Sequence, residues 1–321
     1  MKPKIIKSVI TNKFNHFVKS ITDPYVQELV KKNSIITGGC FSSMLTNEEV
    51  HDFDIYFKTK ETVKAIAEYY VNEFKKLHPL SELVKSIEII DGADSKPKDY
   101  LGFRGLNLTP DRIKIIVPSK GIAGQMQENE TENNETLETY LNDVEKADEI
   151  KVKEVENTEQ VKPNYYPMFL SSNAITLSGK IQLIIRFWGD PNTIHENYDF
   201  VHCMNYYTSW DEHLELKPES VLSILTKELQ YVNSRYPIAS VIRTKKFIKR
   251  GWTINAGQYL KMCFAISKLD LTKIEVLEDQ LCGVDTAYFA MLIEALADKL
   301  QKEPQFQIDQ QYLTTIIDKI F

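Results

Sequence analysis

Cysteine and histidine are scarce and scattered in this chain. Its 321 residues include 4 cysteines, Cys40, Cys203, Cys263 and Cys282, which form no CxxC pair, and 6 histidines that are equally dispersed. That distribution argues against a structural zinc site and against a disulfide framework. Reduced, mostly buried thiols are the expectation. Long apolar runs are missing as well: no segment approaches the roughly 18 unbroken apolar residues of a membrane span. The opening stretch MKPKIIKSVITNKF is basic, but its apolar run is short and interrupted, unlike a signal peptide. The sequence also lacks an internal repeat. A soluble cytoplasmic protein with no membrane partner is therefore expected.

What is present fits a globular protein. Hydrophobic residues make up 43% and charged residues 26% of the chain, close to ordinary values, and the length is enough for two domains. The net charge of −6 is unevenly distributed. Residues 121–163 hold 12 acidic and 4 basic side chains, a net of −8, so the remainder carries +2. This stretch has few large apolar residues, and its composition predicts a mobile insertion or a solvated helix.

The apolar spacing gives the layout. Residues 1–33 read as helical, with Phe14, Phe17, Val18 and Ile21 in phase and a break at Asp23-Pro24. SIITGG reads as a short buried strand, FSSMLTNE as a short helix and HDFDIYFK as a second strand. KETVKAIAEYYVNEFKKL is an amphipathic helix with Val63, Ile66, Ala67, Tyr70, Val71 and Phe74 on one face. Strands are expected at SIEII, DRIKIIVPS, AITLSG, KIQLIIRFWG and YDFVHCMNYY, and helices from Pro218 onward. The fold class is thus α+β: a mixed sheet with flanking helices, followed by an α-helical C-terminal domain. Three parts are expected: a helical segment over 1–33, a domain over 34–210 with the insertion at 121–163, and a helical domain over 211–321.

Chemistry is concentrated between Ile35 and Phe57. Gly38-Gly39 ends the first strand, and Asp52 and Asp54 lie two apart on the next, which puts both carboxylates on one face. Like charges at that spacing repel, so they need a cation or solvent. Taken alone, Asp-x-Asp fits a half-exposed edge strand with solvated carboxylates, and Gly-Gly fits a simple turn. Cys40 reads as a small buried hydrophobe, and His51 and His202 as hydrogen-bonded structural histidines.

In combination, the strand, the Gly38-Gly39 turn, the short helix and the Asp52-Phe53-Asp54 strand resemble the nucleotidyltransferase superfamily, which includes DNA polymerase beta, poly(A) polymerases and CCA-adding enzymes. The resemblance is carried by about 25 residues. It implies a nucleotidyltransferase-like sheet and transfer of a nucleoside monophosphate from an NTP to a hydroxyl acceptor, with nucleic acid as the expected acceptor. It also implies Mg²⁺ or Mn²⁺ on Asp52 and Asp54 and a triphosphate seated on Gly38 and Gly39, with Ser42 or Ser43 adding a hydroxyl. Such transfer depends on positioning and charge stabilisation, for which hard carboxylate oxygens around Mg²⁺ are suited. The family's third carboxylate comes from a later strand. Asp199, at the start of YDFVHCMN, is the expected metal ligand, with Asp190 in the GDPN turn as the second choice. CCA-adding enzymes carry an Arg-Asp pair where this chain has Phe41-Ser42-Ser43-Met44, which argues against tRNA-end addition. Segments like YDFVHCMNYY and RGWTINAGQYLK resemble those of tailed-bacteriophage proteins, implying the host cytoplasm as the setting.

A second feature is the basic segment SVIRTKKFIKRGW. At about 100° per residue, Arg243, Lys245, Lys246, Lys249 and Arg250 fall within an arc of about 160°, with Val241, Phe247 and Ile248 opposite and Ile242 out of phase among the basic residues. The segment is either a solvated helix face or a phosphate-binding surface in which Lys246 and Arg250 meet nucleotide or nucleic acid and Trp252 stacks on a base. Two other functions stay open at this point. One is a catalytically inactive protein of the same fold that binds nucleic acid or acts as a viral structural or interaction component. The other is a kinase-like or toxin-type transferase acting on a protein or tRNA.

Overall fold

The computed structural model describes residues 1–92, 113–117, 122–123, 164–234 and 236–271, together with scattered positions beyond them, chiefly 309–320. The expected insertion over 121–163, apart from Ile122 and Ala123, lies outside the described residues. Two compact units are present. The described residues of Met1–Lys96, Leu108–His195 and His202–Ile224 form the first. Glu196–Val201 and the described residues of Leu225–Phe321 form the second. The division therefore falls after Ile224 rather than at 210, and the N-terminal helices belong to the sheet-bearing unit.

The first unit opens with α1 (Pro3–Ser20) and α2 (Pro24–Asn33). The Asp23 carboxylate accepts from the backbone N–H of Tyr25 and Val26, and Pro24 occupies the first turn, so the break and the new helix share one cause. Next come β1 (Ser34–Thr37), α3 (Cys40–Thr46), β2 (Phe53–Phe57) and α4 (Lys60–Leu77). Thr59 caps α4 through the Thr62 N–H, and all six apolar positions read from its spacing are buried. A short α5 (Glu82–Lys85) leads to β3 (Glu88–Asp91) and β4 (Ile113–Ile116), which pair with each other in a two-stranded sheet.

The main sheet is completed by β5 (Ile122–Ala123), β6 (Pro167–Leu170), β7 (Ala174–Leu177), β8 (Ile181–Trp188), β9 (Tyr206–Thr208) and β10 (His213–Glu215). Its order is β10-β9-β1-β2-β8-β7-β6-β5. Among the described strands β2 and β8 run parallel and the other pairings are antiparallel, so the sheet is mixed. Ile122 and Ala123 pair with Leu170 and Phe169, so the first residues of the expected insertion are an edge strand.

One face of the sheet carries the core. Phe53, Ile55 and Phe57 of β2 pack with Ile36 of β1, Leu183 of β8, Phe14 and Phe17 of α1, and Ile66 and Phe74 of α4. The segment read as a single strand, YDFVHCMNYY, is divided. Phe200 makes an isolated bridge with Tyr231, Val201–Cys203 forms a 3-10 turn, and only Tyr206–Thr208 joins the sheet. Between β8 and this segment lies α6 (Pro191–His195), and after β10 comes α7 (Pro218–Thr226).

The second unit is largely helical among its described residues: α8 (Pro237–Lys249), α9 (Ala256–Ile266) and α10 (Gln310–Ile320). The apolar residues placed opposite the basic arc do not form the buried side of α8. Val241 and Ile248 are exposed, whereas Ile242 is buried with Ala239, Ser240 and Thr244. Small side chains let this helix approach its neighbours, and the Thr244 hydroxyl lies against Met262 Sδ of α9 at 3.9 Å.

Candidate active site on the polar sheet face

Residues directly opposite in a ladder share a face, so the register defines the surface opposite the core. Glu215, Tyr206, Thr37, Asp54, Gln182 and Thr176 lie in one row across β10, β9, β1, β2, β8 and β7. All six are polar. Five are half-buried, and only Thr37 is fully covered. This row is a half-buried polar strip across the middle of the sheet with a carboxylate near its centre.

Asp54 and Gly38 are fitted to each other. Gly38 has φ +95°, a backbone conformation that favours glycine, and a Cβ there would overlap Asp54 Oδ2. The Gly38 N–H donates to the Cys203 carbonyl at 3.1 Å, which fixes the turn. Among the described residues, chain neighbours apart, nothing lies within 4 Å of where a Cβ on Gly39 would point, so the second glycine leaves its side of the turn open. Asp52, exposed, immediately precedes β2, and the Phe53 N–H is already in the ladder through Lys180 O at 2.9 Å. Both aspartates reach the same region electrostatically. The Cys40 thiol is pushed well up, first by burial and then by the charges of Asp54 and Asp52. Cys40 is thus an inert buried thiol, as its lone occurrence suggested.

The remaining expected residues are distributed differently. Ser42 is buried on α3 and its hydroxyl donates to the His202 carbonyl at 3.3 Å, while Ser43 is half-buried. Asp190 caps α6, accepting from the N–H groups of Asn192 at 2.9 Å and Thr193 at 3.0 Å, and these bonds lower its pKa. Asp199 does not begin a strand. It lies at a bend in the second unit, buried, and accepts from Arg243 at 2.6 Å. Arg243 is accordingly an ion-pair partner as well as a member of the basic segment. Lys246 is half-buried, Arg250 exposed, and Trp252 is buried against Phe247, with ring centroids 5.8 Å apart. Among the described residues, no group of three or more His, Cys, Asp and Glu side chains is placed to hold a metal ion.

A cluster beside Asp54 had no counterpart in the motif reading. His195, at the end of α6, is buried, and its Nε2 lies 2.9 Å from Thr37 Oγ1. Its Nδ1 lies 3.4 Å from Lys217 Nζ. An ammonium can only donate, so Nδ1 accepts and Nε2–H donates to Thr37, whose own hydroxyl donates to the Asn205 carbonyl at 2.8 Å. Burial and the Lys217 charge lower the His195 pKa to about 3, keeping the ring neutral. Thr37 and Gln182 were legible in principle from the period of two on their strands. No local signal marks His195 or Lys217.

Comparison with known proteins places this chain in a family. A Bacillus phage SPbetaL7 protein, "Gabija anti-defense 2", is 26% identical over 123 residues, which cover 37% of this chain and 30% of that protein. The chain thus spans less than a third of that relative's length. The Thermotoga maritima CCA-adding enzyme complexed with tRNA aligns over 92% of this chain and 57% of its own, at 11% identity and a TM-score of 0.35, below the level of a shared fold. The model of the Gabija anti-defense 2 family matches residues 8–227, ending three residues beyond the last of the first unit. The span that carries Gly38, Asp52, Asp54 and their polar row therefore carries the family signature too, and the chain belongs to the Gabija anti-defense 2 family.

Proposed function

We propose that the protein acts against the Gabija defence in the host cytoplasm as a metal-dependent nucleotidyltransferase, moving a nucleoside monophosphate from an NTP to a hydroxyl acceptor. The observation that supports this most is the fit of Asp54 against Gly38, on a half-exposed polar row, with Asp52 adding a second carboxylate. Two oxygen-bearing anions beside a glycine turn are a donor set suited to Mg²⁺ or Mn²⁺ that shares its remaining positions with phosphate. Asp52 and Asp54 would hold the ion, which would neutralise phosphate charge and stabilise the leaving oxygen. Gly38 and Gly39 offer close backbone approach to the triphosphate, and half-buried Ser43 is left to add a hydroxyl, since the Ser42 hydroxyl is committed to the His202 carbonyl. Asp199, paired with Arg243, is assigned a structural role in the second unit. Lys246 and Arg250 are left to contact an acceptor backbone.

The test is incubation with labelled NTPs and Mg²⁺ or Mn²⁺ across RNA, DNA and protein acceptors, Gabija components included. Transfer by the native protein and its loss in Asp52→Asn and Asp54→Asn are expected. Both variants should stay folded, because each removes one of two neighbouring like charges. Full activity in either variant would refute the assignment.

A second reading has its own support. No described group of three metal-ligating side chains surrounds Asp54, which favours a non-catalytic member of the fold that blocks the defence by binding. Protection of phage growth on a Gabija-bearing host that persists in Asp54→Asn would decide for it.

A further inference from the structure

The cluster beside Asp54 holds more donors than acceptors. Lys217 brings a full positive charge, and its ammonium's single contact among the described residues is with the neutral His195 ring, not with a carboxylate. A half-buried ammonium with no carboxylate beside it is suited to receive an anion through charge-assisted hydrogen bonds. Asn205 adds to the imbalance. It is fully buried, its Oδ1 is taken by the Lys217 backbone N–H at 2.9 Å, and its Nδ2 has no acceptor among the described residues. His195 cannot neutralise the cluster, because its one N–H is already directed to Thr37.

The position of the cluster points to the ligand. Thr37 is the residue before Gly38 and the ladder partner of Asp54. We infer that Lys217, held by His195 and backed by Asn205, is an anion subsite that receives a phosphate group of the substrate beside the Gly38 turn. The identity of that anion as a nucleoside triphosphate rests on the proposed transferase reading. The existence of the subsite does not.

In this arrangement Asp52 and Asp54 serve the cation and Lys217 serves the phosphate, so opposite charges flank the turn. His195 is a positioning residue. Its neutral Nδ1 orients the ammonium, and its Nε2–H ties that orientation to β1.

The experiment measures binding of inorganic tripolyphosphate by calorimetry in metal-free buffer, using the intact protein, Lys217→Met, Lys217→Arg and Asp54→Asn. The intact protein is expected to bind saturably. Lys217→Met should weaken binding at least tenfold, Lys217→Arg should stay within about threefold, and Asp54→Asn should strengthen it by removing a repelling charge. Unchanged affinity in Lys217→Met, or no saturation by the intact protein at 10 mM probe, overturns the inference. If Lys217→Met does not fold, acetylation of Lys217 in the intact protein is measured by mass spectrometry with and without tripolyphosphate. Protection supports the subsite and equal labelling refutes it. Lys217-dependent binding without any nucleotidyl transfer would refute the transferase reading alone. Transfer with Lys217-independent binding would refute the subsite alone.

Discussion

Replacing Gly38 with alanine separates two features that coincide at one atom. The backbone there has φ +95°, which an L side chain adopts at a cost of about 1–3 kcal/mol. The added Cβ also overlaps Asp54 Oδ2. That oxygen is the tip of a side chain that can rotate, so the steric part should be about 1 kcal/mol, the cost of a displaced rotamer. The expected total is about 2–4 kcal/mol. Asp54→Ala in the same chain should recover the steric part only, giving a coupling of about 1 kcal/mol, whereas Asp54→Asn keeps the shape and should recover almost nothing. The assay is urea unfolding followed by tryptophan fluorescence in a Trp252→Phe background, which leaves Trp188 and Trp210, both in the first unit, as reporters. A coupling indistinguishable from zero would show that Gly38 and Asp54 are not in contact. Equal recovery by Asp54→Asn would show that charge, not shape, is what Gly38 accommodates.

Three further outcomes are expected. Because the His195 pKa falls from 6.5 to about 3 on folding, the unfolded chain binds the proton first on acidification. Its contribution is present above pH 6.5 and is lost as pH falls towards 3, by up to about 1.4 kcal/mol per unit. His195→Gln should flatten the stability–pH curve in that window, and an unchanged slope would contradict it. Arg243→Met should destabilise the second unit by about 3–5 kcal/mol by leaving Asp199 buried without its ion pair, while Arg243→Met/Asp199→Leu should recover most of that in calorimetry. Deleting residues 125–160 and joining the ends with a short linker should leave the thermal midpoint nearly unchanged, since their composition has little apolar area to bury. Loss of cooperative unfolding would show the reverse.

The sequence was most readable where one period and one environment coincide. In α4 a single apolar stripe meets a single core, and all six positions read from its spacing are buried. Asp23-Pro24 announced a break through cap chemistry that is local by nature. The segment around Asp199 misled because its aromatic and β-branched content suits a strand anywhere, while tertiary pairing bound Phe200 to Tyr231 and wound Val201–Cys203 into a turn. On α8 the apolar residues opposite the basic arc do not mark the buried side: Val241 and Ile248 are exposed, while Ala239, Ser240, Ile242 and Thr244 are buried. At the site, Gly38, Asp52 and Asp54 formed a short-range pattern and could be found. His195 meets Thr37, and Lys217 meets His195, only through the fold, and neither lies near Thr37 in the chain.

The parallel pairing of β2 with β8 also has a kinetic consequence. β2 and β8 adjoin at the centre of the sheet, yet β3 to β7 and the whole acidic stretch are translated between them. Ladders between strands so distant in sequence close slowly, because loop entropy is lost before contacts form. At ribosomal speeds of about 5–20 residues per second, Lys217 follows Asp54 by on the order of ten seconds or more. Until then a nascent chain has its glycine turn and both aspartates but neither Gln182 beside Asp54 nor an ammonium beside His195. The polar row therefore comes into being only when nearly the whole family-matched span has left the ribosome, and a prematurely terminated chain would carry the motif without the site.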